Sequence, residues 1–470
     1  MNYRIEKDTL GDVKVPAEAY YGAQTRRAVD NFKASTLRLP PSFVKAQAII
    51  KRAAALSNMD AGYLDKEIGN ALVSAADEVL NGKFDNQFVV DTFQAGAGTS
   101  QNMNINEVLA NRAEELLGGK LGEYSKVHPN DHANMSQSTN DTIHAAIHIS
   151  AYSEYQKRFL SALINLEKSF DKKAVEFDKI VKSGRTHMQD AVPIRLGQEF
   201  SAYAGMVKHA REKMATAFDS LLDLGIGGTA VGTGVNTPPG YRKNMVKYIN
   251  ETTGFSFRNS SNMFEAMQSF GIVVEVSGAL RILSTALLKI ANDLRLLSSG
   301  PQTGLAEIRL PAVQPGSSIM PGKVNPVLPE MLNMVCFHAL GNDFAIVQAS
   351  QAGQLELNVM MPVIGYNLLQ QIEILAGGME SFNKKCLEGI TADEEQCRYY
   401  AERSPALATA LNTHIGYVKA AELAKEALSK NKSVKELAIS KKLMDIDKLE
   451  KILDISTLTE NPFESDEINK

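Results

Sequence analysis

Proline placement constrains this chain more than any other feature. None of its 16 prolines falls between Pro41 and Pro129, between Pro129 and Pro193, or between Pro239 and Pro301. Proline removes a backbone donor and clashes with the preceding turn, so long proline-free intervals are where long helices can run. These intervals are rich in Ala, Leu, Ile, Met, Lys and Glu and periodic in apolar residues, which predicts helices. Residues 143–180, 197–224, 263–299, 327–349 and 363–385 read as the longest. In 263–299, Phe264, Met267, Val274, Leu280, Leu283, Leu287, Leu288, Ile290 and Leu294 leave apolar positions on more than one face. Such a helix belongs inside a bundle. Strand signals are few, and residues 2–6 and 12–15 predict a small hairpin around Gly11. The expected fold is mainly α, in three domains: a mixed, mostly helical 1–140, a central helical bundle 141–393, and a small helical 394–470. The polar segment Thr457 to Lys470 is expected to be loose.

With 470 residues, 44% hydrophobic and 22% charged, the chain has ample material for a large core. A net charge of −4 offers no basic face for nucleic acid. The first residues lack the apolar stretch of a signal peptide, and no uninterrupted apolar run reaches membrane-spanning length. Neither nucleic acid nor membrane is therefore an expected partner. Three cysteines, Cys336, Cys386 and Cys397, make no disulfide framework and no C-x-x-C pair. Together these features predict a cytoplasmic protein. Cys336 reads as a small core residue.

Four polar islands interrupt the helical pattern, rich in Gly, Ser, Thr, Asn and His. They are Gly96 to Asn104, His128 to Asp131 running on to Ser136–Asp141, Gly184 to Asp190, and Gly316 to Pro326. Five prolines between Pro311 and Pro329 exclude regular helix from the last island until a helix begins near Pro326, carrying Glu330, Met331, Met334, Val335 and Phe337. A loop of free N–H groups beside a lysine and a helix N-terminus suits an anion. It is not a nucleotide loop, because Gly316 to Gly322 is one residue too long and Val324 follows Lys323. Any one island could be only a turn or a helix cap, as Ser138, Thr139 and Asn140 would be alone. Taken together, neutral donors with one Lys and one His fit a small dicarboxylate. Few carboxylates converge with them, so no metal is expected. The i,i+4 pairs His128/His132 and His144/His148 lack a third ligand, and His144 and His148 read as lying on a solvated or interfacial helix face. His187 beside Thr186 is the histidine placed for proton transfer, with Glu330 as a candidate partner.

The four islands resemble the aspartase/fumarase superfamily across nearly the whole chain. Gly316, Ser317, Ser318, Met320, Pro321, Lys323 and Asn325 match its signature, and Gly98-Thr99-Ser100-x-Asn102-Met103-Asn104, Ser136 to Asp141 and Gly184 to His187 match further motifs. The resemblance implies three mainly helical domains and a homotetramer whose central helices form one bundle, with active sites shared between three chains. It implies a cofactor-free elimination giving fumarate from a succinyl substrate, with Ser317 as the base. Thr99, Ser100, Asn102, Ser138, Thr139, Asn140 and Ser318 would bind substrate. Lys323 and Asn325 would hold one carboxylate, and Thr186 and His187 would lie near the leaving group or that carboxylate. The superfamily contains aspartate ammonia-lyases, class II fumarases and non-enzymatic structural members. Segments Tyr20–Gly22, Ser138–Asn140, Asn325–Glu330 and Gly353–Asn358 look aspartase-like, whereas Gly225–Gly234 and Leu411–Tyr417 look closer to fumarase. His144-Ala145 stands where the family usually has Pro-Thr.

Overall fold

The computed structural model describes residues 2–460. The chain opens with an antiparallel hairpin, β1 (Tyr3–Asp8) and β2 (Gly11–Pro16), turning at Gly11. Helices α1 (Ala23–Asn31), α2 (Pro41–Asp60), α3 (Lys66–Leu80), α4 (Thr99–Leu116), α5 (Thr139–Glu154) and α6 (Leu160–Glu176) follow. A single π turn, Tyr155–Phe159, joins α5 to α6. A second hairpin, β3 (Val181–Thr186) and β4 (Gln189–Arg195), leads into α7 (Leu196–Asp219). Then come α8 (Tyr241–Thr253), α9 (Met263–Gln268), α10 (Gly271–Leu297), α11 (Val327–Ser350) and α12 (Met361–Lys385). Short helices α13 (Glu394–Arg403), α14 (Asn412–Ile415), α15 (Tyr417–Lys430), α16 (Val434–Ser440) and α17 (Ile446–Ile452) close the chain. The fold is mainly α, as the proline spacing predicts.

The chain divides into two compact units, each built from three segments. The first comprises Met1–Ser161, Glu212–Ser284 and Phe337–Ala376. Its best-defined core packs α2, α3 and α4 through Ala48, Leu72, Ala75, Val79, Ile105, Val108 and Leu109. The small alanines let these helix backbones approach closely. Pro41 opens α2, where its missing N–H costs no hydrogen bond. Helix α1 has no side-chain cap of its own. Buried Glu107 on α4 supplies one, accepting from the backbone N–H groups of Gly22, Gln24 and Thr25. Its burial raises the carboxyl pKa despite those three donors.

The second unit comprises Ala162–Arg211, Thr285–Cys336 and Gly377–Lys470. Phe170, Phe200, Tyr203 and Phe382 form an aromatic core there, with Phe170 and Tyr203 meeting edge to face. A satellite core of Ala401, Leu407, Leu411, Leu423, Val434, Leu437 and Leu449 holds the C-terminal helices together. All three cysteines are buried free thiols, and burial pushes each up to about 12. Part of the tail expected to be loose is tied down. Thr459 is buried, and its backbone carbonyl accepts from the Gln198 amide at 3.0 Å. Residues 461–470 lie outside the described residues.

Two expectations need correction. Residues 263–299 are two helices, because the chain turns extended at Ser269 before α10 begins. Within α10 the buried set Val273, Val276, Leu280, Leu283, Leu287, Ile290 and Leu294 is one seam spaced by three and four residues. That is the stripe buried within this chain, while Ile282, 43% exposed, and the half-buried Val274 and Leu288 place apolar residues on other faces, as the sequence predicts. Helix α10 is also long and apolar enough, by length and composition, to cross a membrane, although no uninterrupted run suggests it. Glu275, Arg281, Lys289, Asp293 and Arg295 on its other faces fit a core helix of a bundle better. Finally, His144 and His148 are not on a solvated face. Both are buried, with rings stacked 4.8 Å apart.

Candidate active site

The first unit gathers the first two islands. Helix α4 starts at Thr99, which is exposed, while Ser100 and Asn102 are buried. Ser138 is the N-cap of α5, and its hydroxyl accepts from the Asn140 N–H. Asp141 closes the reciprocal capping box by accepting from the Ser138 N–H at 3.0 Å. The Asn102 amide donates to Thr139 Oγ1 and to Asn134 Oδ1, each at 3.1 Å. Asn134 Oδ1 also accepts from the Lys51 ammonium at 3.0 Å. The two islands are thereby fixed to each other through side chains of three elements, leaving the half-buried Thr139 and Asn140 at the helix start.

Asp141 is the hub that sequence reasoning passed over, although it stands inside the second island. Its other oxygen accepts from the Gly227 and Thr229 N–H groups at 2.9 and 3.1 Å. Asn140 donates to the Ala230 carbonyl beside them. The glycine-rich 225–234 segment is therefore moulded onto the α5 N-terminus. Burial raises the Asp141 carboxyl to about 6 against the donors that oppose it. Burial likewise pulls the Lys51 ammonium down to about 7, with Asp141 working the other way.

The second unit holds the other two islands. Gly316 lies so close to the returning strand of its loop that a Cβ would overlap the Lys323 carbonyl oxygen. No other residue fits there. The Asn325 amide donates to the Gly316 carbonyl at 2.5 Å, clamping the loop shut just before α11. Inside this loop the Ser317 hydroxyl oxygen accepts from the backbone N–H of Ile319 at 3.3 Å and of Met320 at 3.0 Å. Two donors aimed at one hydroxyl oxygen stabilise its ionised form. Ser317 is half-buried; Ser318 and Lys323 are exposed; Glu330 stands in the first turn of α11.

The island carrying Thr186 and His187 lies between α6 and α7, but it folds as a hairpin and not as a loop leading straight into a helix. They form the tip of the β3/β4 hairpin, where Thr186 pairs with Gln189 across a two-residue turn. His187 and Met188 both adopt left-handed backbone, with φ of 53° and 62°. Tight hairpin turns need that geometry but usually recruit Asn or Gly for it. For residues such as these the strain is on the order of 1–3 kcal/mol each, and strain of this kind gathers at working sites. Val181 to Thr186 carries one apolar residue and no alternation, so the sequence offered little signal for this hairpin. Among the described residues, no hydrogen bond or ion pair within the chain joins His187 to Glu330, and no group of three or more His, Cys, Asp or Glu side chains is placed to hold a metal ion.

Long helices presenting polar loops, one of them with a serine held under two backbone donors, fit the fold of a lyase. A family model described as lyase matches residues 11–341, and one described as fumarase C C-terminus matches residues 407–460. The chain belongs to the aspartase/fumarase superfamily. It is 49% identical over 461 residues to an aspartate ammonia-lyase of a Bacillus species, covering 98% of this chain and 97% of that protein. It is 48% identical over 436 residues to a class II fumarate hydratase of Thermosynechococcus vestitus, covering 93% of each. The crystal structure of class II fumarase from Schistosoma mansoni superposes with a TM-score of 0.95 at 38% identity, covering 97% of this chain and 99% of that one.

Proposed function

We propose that the chain catalyses the reversible deamination of L-aspartate to fumarate and ammonia. The observation that carries this reading is the Ser317 hydroxyl, held under the N–H groups of Ile319 and Met320. Serine is a poor base in water. Two backbone donors, with the positive charge of Lys323 on the same loop, lower the cost of its alkoxide, which then takes the proton from the carbon next to the leaving group's carbon. The carboxylate beside that carbon becomes an enediolate carrying two negative charges. Thr99, Ser100, Asn102, Ser138, Thr139 and Asn140 form a donor set suited to that charge, and preorganised donors contribute most in a dry site. Lys323 and Asn325 bind the other carboxylate, with Ser318 beside them. Asn325 spends one amide proton on Gly316 and keeps the rest of its amide for a ligand. Thr186 and His187 serve the leaving ammonia, and Glu330 orients His187 from another chain. The three clusters are contributed by three chains of a homotetramer.

Aspartate is favoured over malate by the aspartase-like form of the site segments Ser138–Asn140 and Asn325–Glu330. A class II fumarase is the second reading, supported by the fumarase-like Gly225–Gly234 segment, which packs on the α5 N-terminus through Asp141. Fumarate formation followed by ultraviolet absorbance, with L-aspartate and L-malate in parallel, tests both. Turnover of aspartate alone is expected. Turnover of malate alone replaces the first reading with the second, and turnover of neither removes both.

A further inference from the structure

The hairpin tip carrying Thr186 and His187 is strained and exposed, yet it hangs from the most heavily charged interior of the second unit. Glu307 is fully buried. Both of its oxygens lie 2.9 Å from one guanidinium nitrogen of Arg185, and the Lys182 ammonium stands 3.3 Å from it. Lys182, itself buried, also lies 3.1 Å from Glu199 at the start of α7. The Arg185 guanidinium packs over the Tyr400 ring of α13 at 5.2 Å, and Tyr400 in turn donates to the Gly304 carbonyl. Two basic residues on one short strand, two and five residues ahead of His187, thus grip the same buried carboxylate.

The strand is shaped to allow this. The β3/β4 register slips between Ser183 and Arg185, so Gly184 is a bulge. A Cβ on Gly184 would lie 2.7 Å from the Val192 carbonyl oxygen, which restricts the position to glycine. The bulge turns Arg185 inward to Glu307 and leaves Thr186 facing solvent. On the other strand, Ser404 donates to the Ala191 carbonyl and holds β4 from behind. None of these groups reaches the turn itself.

We propose that Arg185, braced by Glu307 and Tyr400, is a positioning residue that holds the left-handed turn at His187 in its working geometry. The inference rests on the reading of His187 as a substrate-site residue. Lys182 already neutralises Glu307 in part, so Arg185 is not needed merely to pair a buried charge. Its distinguishing contribution is a planar group that meets a carboxylate and an aromatic face at once, which a lysine ammonium does not reproduce.

A double-mutant cycle between Arg185 and His187 tests this. Arg185→Met is expected to lower kcat/KM about 100-fold, the scale on which displaced substrate-site groups cost rate. Added to His187→Ala, the same change should cost less than about threefold, because the residue it positions is already gone. Arg185→Lys should recover part of the loss. Equal losses on both backgrounds, or an Arg185→Met enzyme within about twofold of wild type, overturn the proposal. Hydrogen exchange supplies an arm that does not depend on substrate. The amides of residues 186–189 should exchange about tenfold faster or more in Arg185→Met, with those of α7 unchanged. If the wild type turns over neither aspartate nor malate, the functional reading fails, and exchange still decides the positioning claim: unaltered turn amides refute it. Should Arg185→Met not fold, Arg185→Lys and Glu307→Gln carry both arms, with the same turn-localised acceleration expected and its absence refuting.

Discussion

The buried histidine pair on α5 is expected to make the stability of this chain acid-sensitive. His148 Nδ1 lies 2.9 Å from the Asp223 carbonyl oxygen. A carbonyl only accepts, so the neutral ring carries its proton on Nδ1. The ring is buried and stacked on His144, whose own Nδ1 is buried without a hydrogen-bond partner. Burial drives His148 down from 6.5 to about 4, against the nearby backbone carbonyls, and drives His144 well below its ordinary value. Both folded-state values are depressed below those of the unfolded chain. Their contribution to stability is therefore fully present above about pH 6.5 and is lost as pH falls through about 4. A fall from 6.5 to about 4 corresponds to about 3 kcal/mol for His148 alone, at about 1.4 kcal/mol per pH unit. His148→Asn removes that titration while placing an amide nitrogen where Nδ1 stands, to donate to the Asp223 carbonyl. Urea unfolding followed by circular dichroism, at fixed protein concentration from about pH 7 to about pH 4, measures the difference. Wild type should lose about 3 kcal/mol more than the variant over that range. Parallel acid dependence in the two proteins would refute the reasoning and place the protonation elsewhere.

Ser317→Ala should abolish turnover while leaving the circular dichroism spectrum and oligomeric state unchanged; near-wild-type activity would remove Ser317 as the base. Lys323→Ala should chiefly raise KM, since the exposed side chain is free to meet a substrate carboxylate, and an unchanged KM would count against that role. Asp141→Ala strips an acceptor from the N–H groups of Ser138, Gly227 and Thr229. At roughly 1–3 kcal/mol for each buried orphan, offset by no longer burying a charge, a net destabilisation of about 2–4 kcal/mol is expected in urea melts, with a fall in kcat. Gly316→Ala should impair activity more than stability, because the loop cannot close over Ser317 once a Cβ meets the Lys323 carbonyl. Comparing kcat with the melting temperature of that variant checks the claim.

The long helices were legible because proline and apolar spacing act locally, and α11 starts at Val327, one residue past the predicted Pro326. The signature loop was legible because Gly316, Ser317 and Asn325 close on one another within ten residues. What escaped depends on distant partners. The His144/His148 pair looks amphipathic in sequence, and only the packing of α5 in the folded unit shows that both rings are buried. Asp141 reads as a helix cap, which it is, but its second oxygen serves residues more than eighty positions away. The β3/β4 hairpin was hidden because its turn uses His-Met where turn chemistry leads one to expect Asn-Gly.

The three buried thiols give the molecule a built-in clock. With each pushed up to about 12 and sealed in the core, none offers a thiolate to an alkylating reagent or an oxidant while the fold is closed. Cys336 lies on α11 just downstream of the signature loop, Cys386 follows α12, and Cys397 lies on α13 beneath the Glu307 carbonyl. Each reagent adduct would therefore mark one opening of one segment of the second unit. Mass spectrometry of the three peptides would then time how often the signature loop's supporting helix, the end of α12 and the platform beneath the His187 hairpin each come apart.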